Sequence, residues 1–172
     1  MEVARPRPLA ETDNRGAFDC GRESMNLWLR RHGWANHAAG VSRVNVICET
    51  ATNSIVGYVT LSAAQIERAS LPKARQRNMP DPLPVTLLGQ LAIHKEWQGQ
   101  GYAEALLLFA LRLALRVSYD VASWGVITHP IDDGVRSFYA RYGFQELPFD
   151  LRRAMAVHMA DLERSNLLAG SE

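Results

Sequence analysis

A short polar segment with two glycines, residues 98–101, divides the most apolar part of the chain. Residues 87–93 before it are mostly apolar and few in number, which predicts a buried strand. From Ala103 the chain is rich in alanine and leucine, which predicts a long helix. Gly99 and Gly101 lack a Cβ atom, so the backbone can approach a ligand closely there. Unpaired N–H groups and the positive end of the helix dipole make such a junction a suitable phosphate site.

This glycine loop, residues 98–101, fits neither of two common nucleotide-binding patterns. The Rossmann fingerprint needs a further glycine, and the P-loop needs Lys followed by Ser or Thr, whereas Gly101 precedes Tyr102, Ala103 and Glu104. The pattern Gln98-x-x-Gly101-x-Ala103 resembles the pyrophosphate loop of the GNAT superfamily of N-acetyltransferases. The alternative is a glycine turn that only joins a strand to a helix.

The resemblance implies that acetyl-CoA is the cosubstrate and that no metal takes part. It also implies that backbone N–H groups of Ala92 or Ile93 polarise the acetyl carbonyl, as an oxyanion hole does. The cofactor-binding residues that it implies are Leu91, Ala92, Ile93, Gln98, Gly99, Gln100, Gly101, Tyr102 and Ala103.

A second motif lies nearer the C-terminus. Residues 137–144 contain Phe138-Tyr139 and Gly143-Phe144, and they resemble the F-Y-x-x-x-G-F segment of GNAT domains. The resemblance implies that Tyr139 is the catalytic general acid. A phenol with a pKa of about 10 keeps its proton at neutral pH and can donate it to a departing thiolate. The alternative is that Tyr139 only packs among aromatic neighbours.

A general base is harder to assign from the sequence. His94, Glu96 and His129 are the candidates, and a surface or capping role is the alternative for each. An α-amino group has a pKa of about 7.7–8.0 and is partly neutral, so its acetylation does not need a general base. A lysine side chain has a pKa of about 10.4 and is almost wholly protonated, so a base would be needed for it. The lack of a clear carboxylate base therefore favours an α-amine substrate.

The length and composition indicate one soluble domain. The chain has 172 residues with 47% apolar and 22% charged side chains, so we expect a single GNAT domain over residues 1–172 with a disordered end. There is no stretch of eighteen apolar residues, and the N-terminus lacks a signal-peptide core. Cys20 and Cys48 lack metal-ligand spacing and are expected to be buried free thiols, which favours a reducing, cytoplasmic location.

The order of predicted elements indicates a mixed α/β (α+β) fold. A helix from about Glu23 to Ala38 precedes an antiparallel hairpin of residues 43–49 and 55–62. After a long connection come the central strand, the long helix, a strand at residues 122–129, a helix capped by Asp132 or Asp133, and final strands. This agrees with a GNAT sheet of six to seven strands flanked by about four helices, and the resemblance implies that its central strands splay apart.

The charge distribution suggests a polyanion partner although the net charge is only +1. Residues 1–80 carry a net charge of +4, and residues 81–172 carry −3. The connection at residues 65–84 concentrates basic side chains and prolines, and connections of this length are usually functional or mobile. A solvated surface is the alternative. The candidate nucleic-acid contacts are Arg30, Arg31, Lys73, Arg75 and Arg77.

Within the GNAT superfamily, the chain resembles the TacT-like acetyltransferase toxins of type II toxin–antitoxin modules. The matching segments are residues 18–21, 27–31, 40–43, 56–62 and 88–93, together with the two motifs. The resemblance implies acetylation of the α-amine of aminoacyl-tRNA, which blocks translation. It also implies a ribbon-helix-helix antitoxin that joins the enzyme in repressing operator DNA. One departure is Gln90, where these toxins often carry Arg.

Two other functions stay open from the sequence. One is a GNAT enzyme for a small amine or a protein N-terminus. The other is chiefly a corepressor in an antitoxin–DNA complex, against which the intact loop and Tyr139 argue. No membrane partner is expected, and the oligomeric state stays open between monomer and homodimer.

Overall fold

A computed structural model of the chain describes residues 2–169, so the predicted disordered end at residues 170–172 lies outside the described residues. The strands are β1 (Arg7–Pro8), β2 (Arg43–Cys48), β3 (Ile55–Ile66), β4 (Leu83–Ile93), β5 (Gly125–Thr128), β6 (Gln145–Glu146) and β7 (Met155–His158). The α-helices are α1 (Glu23–Trp28), α2 (Trp34–Ala39), α3 (Lys73–Gln76), α4 (Tyr102–Ser118), α5 (Asp133–Ala140) and α6 (Met159–Arg164).

The strands form a mixed seven-stranded sheet in the order β1-β2-β3-β4-β5-β7-β6. The predicted hairpin is confirmed, since β2 and β3 pair antiparallel with Val46 opposite Tyr58. Strand β4 runs parallel to β5, with Leu88 opposite Thr128. The chain therefore has the mixed α+β architecture that the sequence predicts.

Several boundaries differ from the prediction. Strand β4 has eleven residues rather than the seven predicted. It begins at Leu83, inside the proline-containing connection that was predicted over residues 65–84. Strand β5 is shorter, with only Gly125–Thr128 in the strand. The predicted N-terminal strand is reduced to Arg7–Pro8, plus one bridge between Val3 and Glu49. Proline restricts strand pairing because it has no N–H to donate.

The predicted helix near the N-terminus is interrupted. A π-helical turn, Leu29–Gly33, stands between α1 and α2, and Gly40 ends α2 in the left-handed conformation. The turn carries the exposed side chains of Arg30 and Arg31. Such π turns inside α-helices are rare and often mark functional sites.

By its internal contacts the chain divides into two compact units. The first unit comprises the residues up to Ser62 together with Gly89–Ala110, and the second comprises Ala63–Leu88 together with the residues from Leu111 onward. Strands β3 and β4 and helix α4 each contribute residues to both units. Each unit has its own cluster of buried apolar side chains.

The core of the first unit is built around Tyr58 of β3, which is fully buried. Its ring meets the Phe18 ring edge-on, with 5.4 Å between the ring centroids, and stacks on the Trp28 ring, with 6.0 Å between the centroids. Its hydroxyl donates to the carbonyl oxygen of Met25 at 2.8 Å, so the one polar atom of this large ring is paired. Cys20 and Cys48 are buried free thiols, as predicted.

A buried ion pair fixes the N-terminal segment of the same unit. The guanidinium of Arg7 donates to both carboxylate oxygens of Asp13, at 2.8 and 2.7 Å. Asp13 also accepts from the backbone N–H of Ala10 at 2.8 Å. The hydrogen bond from Arg7 lowers the pKa of the Asp13 carboxyl against the opposing effect of burial. The pair therefore compensates the charge of the Asp13 side chain, which is 1% exposed.

The second unit contains strands β5, β6 and β7 and has its own buried core. Strand β7 pairs antiparallel with both β5 and β6, and Val126 lies opposite Val157. The buried core cluster consists of Leu71, Leu83, Val85, Ile127, Leu147, Ala154 and Ala156.

Candidate active site

The segment that leads into the glycine loop is tied to β3 of the same unit. Strand β4 ends at Ile93, and the backbone N–H of the next residue, His94, donates to the carbonyl oxygen of Val56 at 2.7 Å. Gly57 allows this close approach, because a Cβ atom there would lie 2.6 Å from the Ile93 side chain and 3.0 Å from the carbonyl oxygen of Ala92. The end of β4 therefore approaches β3 closely at Gly57, where a larger residue would force the Ile93 side chain to move.

Gln98, the first residue of the loop, is anchored through its side chain. Its Nε2 donates to the carbonyl oxygens of Ile93 and Cys20, each at 2.9 Å. A second tie lies nearby, where Lys95 Nζ pairs with Asp19 at 2.8 Å and the Lys95 N–H donates to the Asp19 carbonyl oxygen at 2.8 Å. The loop is thus fastened to residues near the N-terminus before any ligand binds.

Both glycines of the loop have left-handed backbone angles. The φ angle is +75° at Gly99 and +87° at Gly101. A Cβ atom built at either residue meets no atom of the protein within 4 Å. Glycine is therefore favoured by conformation at both positions, and the space beside the backbone is open for a ligand. This fits the predicted pyrophosphate loop.

Helix α4 begins directly after the loop. The first N–H that closes a turn is that of Ala105, which donates to the carbonyl oxygen of Gly101 at 3.1 Å. The N–H groups of Tyr102, Ala103 and Glu104 precede it, and the first N–H groups of a helix have no partner within the helix. With the helix dipole they suit a phosphate group. These donors and the loop would hold the pyrophosphate of acetyl-CoA.

The structure brings the predicted cofactor residues together in the first unit. Leu91, Ala92 and Ile93 form the end of β4, and the glycine loop and the start of α4 follow after one 3₁₀ turn, Lys95–Trp97. Gln90 is half-buried, and its backbone N–H donates to the side chain of Thr60 at 2.9 Å.

The predicted acid, Tyr139, lies in the second unit on α5. The Asp132 side chain caps this helix by accepting from the N–H of Val135 at 2.8 Å, as predicted. Tyr139 is 4% exposed, and its ring lies 5.1 Å from that of Phe144. Burial raises the pKa of Tyr139 to about 12, while a hydrogen bond with the Thr128 hydroxyl acts in the opposite direction. The phenol therefore keeps its proton throughout the neutral range.

Thr128 is a buried polar residue that the sequence analysis did not single out. It is the last residue of β5 and is buried, and its hydroxyl donates to the carbonyl oxygen of Leu88 at 3.0 Å. Its only signal in the sequence is its place at the end of a short apolar strand.

The three candidate bases have different surroundings. His94 accepts a hydrogen bond from the N–H of Glu96 at 3.3 Å, and its ring meets Phe18 edge-on at 5.9 Å. It therefore caps the 3₁₀ turn, and Glu96 is exposed. His129 follows β5, and burial lowers its pKa, with a smaller contribution from Arg152 in the same direction. A neutral imidazole there could accept a proton.

The candidate nucleic-acid contacts fall into two groups. In the first unit, Arg30 and Arg31 are exposed on the π turn. In the second unit, Lys73 and Arg77 are exposed at the two ends of the short helix α3. Arg75 is engaged instead, since it pairs with Asp161 at 3.6 Å and contacts Nδ1 of His158 at 3.2 Å.

Two kinds of site are absent from residues 2–169. This part of the chain holds no group of three or more His, Cys, Asp or Glu residues arranged to bind a metal ion. Nor does it contain a helix that is both long and apolar enough to cross a membrane.

Comparison with known proteins identifies the family of the chain. The acetyltransferase (GNAT) domain family matches residues 42–146, which is more than half of the chain. A "tRNA-acetylating toxin" of Mycobacterium tuberculosis (strain ATCC 25618 / H37Rv) is 32% identical over 145 residues, covering 84% of this chain and 86% of that protein.

Two solved structures are similar over nearly their whole length. AtaT complexed with acetyl-methionyl-tRNAfMet has a TM-score of 0.86 and 28% identity, covering 94% of this chain and 98% of that one. AtaTR bound with AcCoA has a TM-score of 0.82 and 28% identity, covering 94% and 96%. The chain therefore belongs to the GNAT superfamily and is an acetyl-CoA-dependent N-acetyltransferase.

Proposed function

We propose that this enzyme is a toxin that acetylates the α-amino group of the amino acid on charged tRNA and so blocks translation. The observation that carries the proposal is the 32% identity, over 84% of the chain, to a tRNA-acetylating toxin. The similar structure of AtaT with acetyl-methionyl-tRNAfMet supports it. The proposal treats residues 1–172 as one acetyltransferase domain.

The exposed cations give this substrate an electrostatic basis. Arg30 and Arg31 project from the π turn, and Lys73 and Arg77 flank α3. Side chains of this kind neutralise backbone phosphates and contribute most of the salt-dependent affinity for nucleic acid. They position the RNA without reading its sequence.

Tyr139 is the proposed general acid. Acetyl-CoA supplies the acetyl group as a thioester, and its transfer to an amine releases a thiolate that needs a proton. The buried phenol of Tyr139 has a pKa raised to about 12, so it is protonated when the reaction begins and can donate from its hydroxyl oxygen. The glycine loop and the start of α4 bind the pyrophosphate, and Ala92 or Ile93 N–H polarises the acetyl carbonyl.

We further propose a neutralising antitoxin of the ribbon-helix-helix type and a joint complex on operator DNA. Among similar solved structures, one has an AtaT mutant toxin bound to the C-terminus of the antitoxin AtaR, and another is a KacTA–DNA complex. A short neighbouring gene for such an antitoxin, whose product suppresses the toxicity of this chain, would support this.

The test uses purified protein, labelled acetyl-CoA and a total pool of charged tRNA. Label on the amino acid of tRNA is the expected result, and sequencing of the labelled tRNAs then gives the specificity. Label only on free amines or on peptide N-termini would overturn the tRNA proposal in favour of a small-amine or protein acetyltransferase. Growth arrest that survives Tyr139→Phe would favour a role as corepressor, because only the enzyme needs the phenol.

A further inference from the structure

The segment just before α1 is one of those that resemble the TacT-like toxins, yet the reaction as described gives it no role. It lies in the first unit and contacts the residues that run from β4 into the glycine loop. The carbonyl oxygen of Asp19 accepts from the backbone N–H of Lys95 at 2.8 Å. That of the next residue, Cys20, accepts from Nε2 of Gln98 at 2.9 Å. Two consecutive residues thus hold both ends of residues 95–98, which we call the lead-in segment.

The side chain of Asn26 on α1 fixes these two holding residues. It is buried, with 4% of its surface exposed. Its Oδ1 accepts from the backbone N–H of Cys20 at 2.9 Å, and its Nδ2 donates to Oδ1 of Asp19 at 2.9 Å and to Glu23 at 3.5 Å. An N–H can only donate and a carboxylate can only accept, so these partners determine which way the amide points. One buried side chain therefore sets the positions of Asp19 and Cys20 together.

The carboxylate of Asp19 adds a second contact to the lead-in segment. Its Oδ2 pairs with Nζ of Lys95 at 2.8 Å, and its Oδ1 accepts from the N–H of Gly21 at 2.9 Å. The hydrogen bond from Lys95, followed by those from Gly21 and Asn26, holds the pKa of Asp19 well below its usual range. The Asp19 side chain is 42% exposed, so the ion pair itself contributes little energy. Its effect is geometric, because it keeps Lys95 beside Asp19.

The lead-in segment continues directly into the glycine loop, and this gives the contacts a functional consequence. Glycine has more conformational freedom than any other residue, so a loop with Gly99 and Gly101 would sample many shapes if its start were free. A ligand that binds such a loop must order it, and this lowers the affinity unless the shape is already fixed. Hydrogen bonds at both ends of the lead-in segment fix the start of the loop in the free protein.

We propose that Asp19 and Asn26 are positioning residues for acetyl-CoA, which hold the lead-in segment so that the glycine loop is ordered before the cofactor binds. The inference rests on the proposed placement of the pyrophosphate at that loop. Neither side chain needs to touch the cofactor. Their loss should therefore raise the Kd of acetyl-CoA and leave the chemical step unchanged once acetyl-CoA is saturating.

The first test compares Asp19→Ala with Asp19→Asn by titration calorimetry with acetyl-CoA. Alanine removes every side-chain contact of Asp19, and we expect Kd to rise about tenfold. Asparagine keeps an oxygen that accepts from Gly21 and Asn26 and loses only an exposed ion pair, so its Kd should stay within about threefold of wild type. Turnover at saturating acetyl-CoA should stay within about threefold in both variants. Equal losses of affinity in the two variants would overturn the inference.

The second test removes the buried amide. Asn26→Leu changes the volume little and should raise Kd about tenfold or more. Hydrogen exchange of the free proteins is measured as well, and the backbone amides of residues 95–105 should exchange faster in Asn26→Leu and Asp19→Ala than in wild type, because the loop is less ordered. If Asn26→Leu fails to fold, the two Asp19 variants decide.

Asp13→Asn is the matched control. Asp13 is another carboxylate of the first unit, and its partners are Arg7 and the N–H of Ala10. This variant should unfold at a lower temperature but keep the wild-type Kd and the wild-type exchange of residues 95–105. A loss of affinity equal to that of Asp19→Ala would show that cofactor binding follows general stability, which would overturn the inference. Wild-type Kd and wild-type exchange in Asp19→Ala would do the same.

Failure of the inference can be distinguished from failure of the proposed function. Weak binding by Gly101→Val together with wild-type binding by Asp19→Ala removes only the positioning role. Wild-type binding by Gly101→Val removes the placement of the pyrophosphate, and the inference with it. The titration uses no RNA, so an absence of label on charged tRNA would overturn the proposed substrate and not this inference.

Discussion

The side-chain amide of Gln98 lies 2.9 Å from the carbonyl oxygen of Cys20, a residue 78 positions earlier in the chain. The same nitrogen donates to the carbonyl oxygen of Ile93 at 2.9 Å. Gln98 therefore ties the glycine loop to the end of β4 and to residue 20. We propose that its contribution to cofactor binding is to hold the loop in shape, which leaves the N–H groups that follow for the phosphates.

Replacement of Gln98 by Glu should weaken acetyl-CoA binding by about tenfold. The change removes two hydrogen bonds, each worth about 1 kcal/mol, and sets a carboxylate against two carbonyl oxygens. Titration calorimetry with acetyl-CoA measures the effect. Gln98→Arg is the control, because an arginine side chain keeps N–H donors at this position. Equal affinity for all three proteins would contradict the role of this contact.

Replacement of Gly101 by Val should abolish measurable acetyl-CoA binding. Its φ angle of +87° disfavours any other residue by about 1–2 kcal/mol, and a branched side chain would fill the open space beside the loop. Gly40→Val, at φ +73° at the end of α2, carries a similar backbone penalty away from the loop. Calorimetric affinity and thermal unfolding of both variants would separate strain from ligand exclusion. Wild-type affinity in Gly101→Val would refute the placement of the pyrophosphate.

Tyr139→Phe should fold and bind acetyl-CoA normally but turn over on the order of 100-fold more slowly, the typical contribution of a general acid. The hydroxyl is the only group that the substitution removes, and the ring still fills the space beside Phe144. Because the pKa of Tyr139 is raised to about 12, its deprotonation should not reduce the wild-type rate below about pH 10. Steady-state kinetics across pH measures both effects, and undiminished turnover of the variant would remove Tyr139 as the acid.

Replacement of both Lys73 and Arg77 by neutral residues should weaken the binding of every tRNA, whatever its sequence. It should also reduce the dependence of tRNA affinity on salt concentration. Each lost phosphate contact should lower the salt slope by about 1. Arg75→Gln is the comparison, and we expect a smaller change in slope because Arg75 is paired with Asp161. Filter binding over a range of salt concentrations tests this. An unchanged slope in the double variant would exclude these cations from the RNA interface.

Asp13→Asn should lower the free energy of unfolding by roughly 2–3 kcal/mol. Breaking a fully buried pair costs about 3–5 kcal/mol, and the value is reduced here because the Arg7 side chain is 35% exposed. The native pKa of Asp13 is lowered, so its contribution is complete above the unfolded pKa of about 3.9 and is lost as pH falls through the native pKa. Denaturant unfolding at pH 7 and below pH 4 should therefore show a difference between wild type and variant that shrinks in acid.

Patterns between neighbouring residues were sufficient to predict much of the molecule. The polar–apolar alternation at the start of residues 43–49 and the mostly apolar run at residues 55–62, with a polar turn between them, predicted the hairpin. The cap at Asp132 and the glycine loop before α4 were also predicted, because helix ends need specific donors, acceptors and backbone angles close by in sequence. The two motifs were sufficient to suggest the GNAT superfamily, which the comparisons confirm.

Contacts between distant segments could not be predicted in this way. The sequence alone gives no reason for Gln98 to reach Cys20 or for Arg75 to pair with Asp161. Each contact depends on strand register and helix placement, which arise from packing of the whole chain. The π turn at Leu29–Gly33 and the full length of β4 were not predicted either. The sequence by itself determined the elements and the chemistry of the two motifs, and only the tertiary structure decided which side chains support them.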